Sequence, residues 1–188
     1  MATTTFLLVR HGETSWNVER RIQGHNDDAG LTERGLEQVR AAAEQLAESG
    51  ARLIISSDLT RARETAEVIG QRLNLPISYD ASLRERSYGD LEGRLDDVLS
   101  PETSGIANGV IVDVDAAPPG GESIAALKER VTTTLDRLAA QHPGETIIVV
   151  THGGLIRTLR AAESPTLIGR EWSRVTNAEI WPTSVTID

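Results

Sequence analysis

Apolar positions along this chain fall into two rhythms. Three short stretches are apolar: TFLLV at 5–9 and TIIVV at 146–150, which are continuous and unalternating, and RLIIS at 52–56. Runs of that length without polar interruption predict strands buried on both faces. Between them the spacing changes to every third or fourth residue. Leu36, Val39, Ala43 and Leu46 predict one helix, with Gly50 placed to stop it. Ala62, Ala66, Ile69 and Leu73 predict a second over 58–74, with Asp58 as its N-cap. Ile124, Leu127, Val131, Leu135 and Leu138 predict a third over 121–141, and GGLIRTLRAAE begins a fourth at 153. PISYD at 76–80 predicts a short strand. NAEIWPTSVTI at 177–187 gives late strand material, in which Pro182 marks an edge or a bend. Residues 94–121 mix Gly, Pro and Asp and read as an irregular excursion. Strands alternating with helices, two of them continuous, predict an α/β fold with a mostly parallel sheet covered on both faces. No repeat of solenoid length is present.

Composition narrows this picture. A chain of 188 residues, 39% hydrophobic and 25% charged, suits one globular domain over 1–188. The absence of cysteine removes disulfides and thiolate metal sites. No apolar run is long enough to span a membrane, and MATTTFLLV lacks the basic region of a signal peptide, so the cytoplasm is the expected compartment. A formal charge of −9 argues against non-specific nucleic-acid binding. It leaves room for a small anionic substrate, because a local pocket can be cationic on an acidic protein.

The chemistry gathers at strand ends. FLLVRHG and IIVVTHGG are both apolar strands running into His-Gly. Ligands of open parallel sheets bind beyond the carboxyl ends of the strands. If the two strands are neighbours, His11 and His152 converge on one site. SSDLTRARETA follows the strand RLIIS, so Arg61 falls in the first turn of a helix at the same edge. Arg10 adds a second planar fork suited to phosphate oxygens. Two such forks offset the charge of roughly −1.5 to −2 on a phosphomonoester. A neutral imidazole is a competent nucleophile. The departing alkoxide needs a proton, for which Glu85 in LRERSYGDLEG is the candidate acid.

LVRHGETSWN, across Leu8 to Asn17, resembles the signature of the histidine phosphatase superfamily, in its phosphoglycerate mutase-like branch. GLTERGLEQ, SSDLTRARETAE, LRERSYGDLEG, PPGGES and VTHGG continue the resemblance in family order over most of the chain. The resemblance implies a three-layer α/β/α fold and a metal-independent reaction that needs no cofactor. It makes His11 the phosphorylated nucleophile and Glu85 the proton donor. Arg10, Arg61 and His152 bind the transferred group, while Asn17 and the Gly153 backbone line the pocket. Gln23, Gly24 and Arg86 are candidates for the substrate side, Arg86 for a second anionic group.

Taken singly, each residue has an ordinary reading. Arg61 could pair with Glu64 along the helix surface, Glu85 could be a solvated carboxylate, and His152 a satisfied structural histidine. Their joint occurrence in order favours the site. His142 reads as solvent-facing and His25 as exposed in a polar loop that could border the site; Trp16, Trp172 and Trp181 read as packing residues, and Asp96, Asp97, Asp113 and Asp115 as solvated.

The family holds phosphatases and mutases, which differ in whether water or a substrate hydroxyl accepts the phosphoryl group. Mutases of this kind supply extra basic residues largely from the excursion. Here that segment has Arg94 alone against Asp96, Asp97, Glu102, Asp113 and Asp115. This favours a phosphatase acting on a small phosphorylated metabolite. A mutase remains the alternative, since ERSYG resembles the mutase form of its motif; a non-catalytic phospho-ligand binder is a second. GHNDDAGLT also departs from the family by an extra residue and a missing proline, and the excursion has no aromatic residue.

Overall fold

A computed structural model describes residues 1–164 and 166–187. Its centre is a five-stranded sheet in the order β3-β2-β6-β1-β7. The strands are β1 (Ala2–Arg10), β2 (Leu53–Ser56), β3 (Ile77–Tyr79), β6 (Thr146–Thr151) and β7 (Ile180–Ile187). β1, β2, β3 and β6 are parallel, while β7 runs antiparallel to β1 with Pro182 opposite Leu7. The proline is tolerated because β7 is an edge strand, where one row of backbone N–H groups has no partner to lose. β1 begins at Ala2 rather than at 5, because the antiparallel pairing continues out to Ala2 and Ile187.

The unalternating runs are explained by the two faces they serve. Phe6, Leu8, Ile147 and Val149 pack on one side with Leu127, Val131, Leu135 and Leu155. Val9, Ile148 and Val150 pack on the other with Val39, Ala43, Ala62, Ala66 and Ile69. Helices α2 (Glu33–Leu46) and α3 (Thr60–Leu73) cover the second face; α5 (Ile124–Gln141) and α6 (Gly153–Ala162) cover the first. The architecture is thus three-layered, α/β/α. Among the described residues no helix is long and apolar enough to cross a membrane.

Three local expectations are corrected. Asp58 does not cap α3. Leu59 occupies that position without a side-chain bond, and both Asp58 oxygens accept from Arg84 at 2.6 Å. The bidentate pair with a guanidinium occupies both carboxylate oxygens with two charge-assisted bonds, where a cap would make one. α2 ends at Leu46, before Gly50. The 94–121 segment is only partly irregular. It holds a 3-10 turn at Asp96–Val98, the one-turn helix α4 (Pro101–Ser104) and a hairpin of β4 (Ile106–Ala107) and β5 (Val110–Ile111). Asn108 and Gly109 form its turn with φ of 50° and 76°, the left-handed pair that a two-residue hairpin loop requires.

Candidate active site

β1 and β6 are direct neighbours, with Arg10 opposite Thr151. The residues following each, His11 and His152, therefore meet, their ring centroids 5.3 Å apart at 59°. Both are buried, at 3% and 0% exposure. His11 Nδ1 lies 2.8 Å from the Gly12 carbonyl. A carbonyl can only accept, so Nδ1 carries the proton and Nε2 is left with its lone pair. His152 Nε2 sits 2.8 Å from the Ser57 hydroxyl, and its Nδ1 is buried with no partner. Burial first, then Arg61, holds both imidazole pKa values well below 6.5; Arg10 depresses each further. Both rings are neutral at physiological pH.

Arg61 stands in the first turn of α3 at 1% exposure. It does not pair with Glu64, whose carboxylate accepts instead from the Leu31 N–H. Its two terminal nitrogens donate to the Asn26 and Gly24 carbonyls, and its Nε has no partner. Arg10 donates to the Val175 carbonyl and likewise keeps an unpartnered buried Nε. Burial lowers the pKa of each guanidinium to about 10, and both remain cationic.

Glu85 accepts from the N–H of Gly154, near the start of α6, at 3.0 Å and from the Arg86 N–H at 2.8 Å. Asn17 sits in the single turn α1 (Ser15–Val18). Its amide oxygen accepts from Thr14 N–H and from Asn177, so its amide nitrogen is the group left over. Arg10, His11, Asn17, Arg61 and Glu85 all face a cavity of about 220 Å³ that Gln23 and Gly24 also wall. His152 lies behind His11, and Gly153 packs against the Arg10 guanidinium.

Comparison with known proteins places the chain in a family. The family model described as histidine phosphatase superfamily (branch 1) matches residues 6–187. The chain belongs to the histidine phosphatase superfamily. Phosphoglycerate mutase-like protein 4 of Arabidopsis thaliana is 42% identical over 179 residues, covering 93% of this chain and 76% of the relative. A probable phosphoglycerate mutase of Escherichia coli is 43% identical over 150 residues, covering 78% and 68%. Among solved structures, a mycobacterial glucosyl-3-phosphoglycerate phosphatase superposes with a TM-score of 0.80 at 33% identity, covering 97% of this chain and 90% of that one. A phosphoserine phosphatase mutant from Entamoeba histolytica, in complex with phosphoserine, gives a TM-score of 0.76 at 28% identity, covering 95% and 89%.

Several residues of this member of the histidine phosphatase superfamily stand elsewhere than expected. Arg86 is not on the substrate side. It is 0% exposed, and its guanidinium donates to the carbonyls of Glu122, Ser104 and Ala116. Those carbonyls consume the fork that an anion would need, so Arg86 anchors the excursion. His25 is not a solvent residue: its Nε2 donates to the Glu85 carbonyl at 2.8 Å. Asp96 pairs with Arg20 and walls the cavity. Gly12 and Gly154, in the two strand-end motifs, make room for protein rather than ligand. A Cβ on Gly12 would lie 2.7 Å from the Gly35 carbonyl oxygen, and one on Gly154 2.3 Å from Glu85 Oε1.

Sequence reasoning did not single out Ser57, Arg157, Arg174 or Asn177. Arg157 carried a signal, since it follows Gly153 by four residues on α6 and therefore shares its face.

Proposed function

We propose that this chain hydrolyses phosphomonoesters of small metabolites through a phosphohistidine on His11, with Glu85 as the proton donor. The observation that carries this reading is the His11 tautomer. With Nδ1–H committed to the Gly12 carbonyl, the Nε2 lone pair is available beside two buried guanidiniums. That nitrogen attacks phosphorus in line and forms a P–N bond as the ester P–O bond breaks. The leaving oxygen takes its proton from the Glu85 carboxyl. Glu85, now a carboxylate, takes a proton from water, whose oxygen attacks the phosphohistidine; the P–N bond breaks and inorganic phosphate departs.

Arg10 and Arg61 neutralise the phosphoryl oxygens, and the unpartnered nitrogens on Arg10, Arg61 and His152 supply hydrogen bonds that the protein leaves unused. The Asn17 amide nitrogen and the Gly153 backbone complete the cradle. Hydrolysis is favoured over transfer because the excursion is acidic and because Arg86, the sequence's candidate for a second anionic group, is spent on carbonyls.

The test is rapid quenching in alkali, where a phosphoramidate survives, with a labelled phosphomonoester as substrate. The label is expected on His11, with inorganic phosphate as the product. His11→Ala is expected to lose turnover while unfolding as the parent does. Label on another side chain removes His11 from the role. An isomerised ester in place of inorganic phosphate assigns the chain to transfer, and bound phosphate with no turnover assigns it to binding alone.

A further inference from the structure

Two side chains from distant parts of the sequence meet at the Glu85 carbonyl. His25 Nε2 lies 2.8 Å from it and Arg130 Nη2 3.2 Å. A carbonyl only accepts, so His25 carries a proton on Nε2 and donates it. Arg130 comes from α5, where it also donates to the Ser82 and Arg84 carbonyls and pairs with Glu122 at 2.7 Å. It fastens the approach to Glu85 onto a covering helix. His25 comes from the loop between α1 and α2.

That loop is also the seat of Arg61. The Gly24 and Asn26 carbonyls, on either side of His25, accept from its two terminal nitrogens at 2.7 and 2.9 Å. Asp27 accepts from the Thr60 N–H at 2.6 Å and from the Thr60 hydroxyl at 2.9 Å, one residue before Arg61. The His25 N–H donates to Glu92 Oε1 at 2.9 Å, and the same oxygen accepts from the Tyr88 N–H at 2.9 Å. The loop is therefore bonded to the start of α3 and to the segment 85–92. Gly24, Arg61 and Glu85 wall the catalytic cavity, and His25 does not. Any influence of His25 on a reaction there passes through these neighbours.

The Glu85 carboxyl is aimed by the Gly154 and Arg86 N–H groups. Its spacing from Arg61 is a separate matter. The direct route from one to the other runs through the 24–26 backbone and the His25 ring, along bonds of 2.9 Å or less. A general acid must stand within hydrogen-bond reach of the leaving oxygen, whose position Arg61 fixes through the phosphoryl group. A misplacement of about 1 Å costs on the order of 100-fold in rate.

We propose that His25 is a positioning residue that sets the distance between the proton donor Glu85 and the phosphoryl-binding Arg61. This rests on the reading of Glu85 as the proton donor.

The test compares glycerophosphate, whose alcohol leaves poorly, with nitrophenyl phosphate, whose phenolate leaves unaided. The quantity is kcat/KM, which reports attack on the ester and not the later hydrolysis. His25→Ala is expected to lower it about tenfold on glycerophosphate and less than about twofold on nitrophenyl phosphate, because Arg130 still holds the carbonyl. Competitive inhibition by inorganic phosphate is expected to change less than about twofold, since Arg61 keeps its backbone partners. His25→Gln is expected to restore the parent's ratio between the esters, because its amide nitrogen stands where Nε2 stood. His25→Asn, one bond shorter, is expected to behave as His25→Ala.

Equal slowing of both esters in His25→Ala overturns the proposal, as does weakened phosphate inhibition, which would show that the loop serves Arg61 alone. A His25→Gln chain no better than His25→Ala overturns it too. So does a further loss of selectivity when His25→Ala is added to Glu85→Gln, because the two should act through one group. Glu85→Gln alone separates this proposal from its premise. If it slows both esters equally, the proton-donor reading falls and His25 with it; if it is selective and His25→Ala is not, only the role of His25 falls.

Discussion

At the scale of single residues, the site works through what the protein leaves unpaired. A buried polar atom without a partner is costly. Here the Nε atoms of Arg10, Arg61 and Arg157, which all wall the cavity, are left so, as is Nδ1 of His152, whose ring centroid lies 5.3 Å from that of His11. Glu85 differs in having both carboxyl oxygens held by backbone N–H groups. Its proposed role gives a specific expectation. Glu85→Gln should slow esters of poorly acidic alcohols by about 100-fold, and activated aryl esters far less, because only the former need a proton on the leaving oxygen. Steady-state rates on an alkyl and an aryl phosphate decide it, and equal slowing of both would argue against an acid role. The sequence brings Arg10, His11, Arg61 and His152 to one sheet edge, since each follows an apolar run; Glu85 follows the short strand Ile77–Tyr79, which has no such run. It misplaced Arg86 because nothing local reveals that Ser104, Ala116 and Glu122 return their carbonyls to it.

At the scale of elements, helix starts carry the site. α6 begins at the end of β6, and its Gly154 N–H reaches the Glu85 carboxylate at 3.0 Å. Gly154→Ala should separate stability from activity. Alanine gains up to about 1 kcal/mol of helix propensity over glycine, but its methyl would occupy the place of Glu85 Oε1. The carboxylate is the far end of a flexible side chain and gives way. The variant is expected to melt within a few degrees of the parent and to lose most turnover of alkyl phosphates; full activity would show that the Glu85 position is not critical. Helices and central strands were legible from spacing alone, because packing on two sheet faces imposes that spacing. The Asn108-Gly109 hairpin was legible in principle from its turn chemistry, yet its strands are two residues each and carry no period to read.

At the scale of the whole molecule, burying two neutral histidines ties stability to pH. Their native pKa values lie below 6.5, so beneath that pH the unfolded chain binds protons that the native chain refuses. Stability is then greatest above about 6.5 and falls as pH drops through that value. Each histidine contributes a slope of about 1.4 kcal/mol per pH unit until its native pKa is reached. Denaturant midpoints between pH 7 and 5 should show this decline, and His152→Gln should flatten it by one histidine's share. A slope unchanged in that variant would show that His152 is not the group refusing the proton.

The placement of β1 reaches into biosynthesis. Both of its sheet neighbours lie far behind it in the chain: β6 starts at Thr146 and β7 ends at Ile187. With translation at a few to some twenty residues per second, the first strand waits on the order of ten seconds for either partner. Until then it is an apolar ribbon with two unpaired edges, which is a template for aggregation. The cavity behind His11 therefore takes shape only after residue 152 has been made, because the pairing of β1 with β6 is what brings the two histidines together.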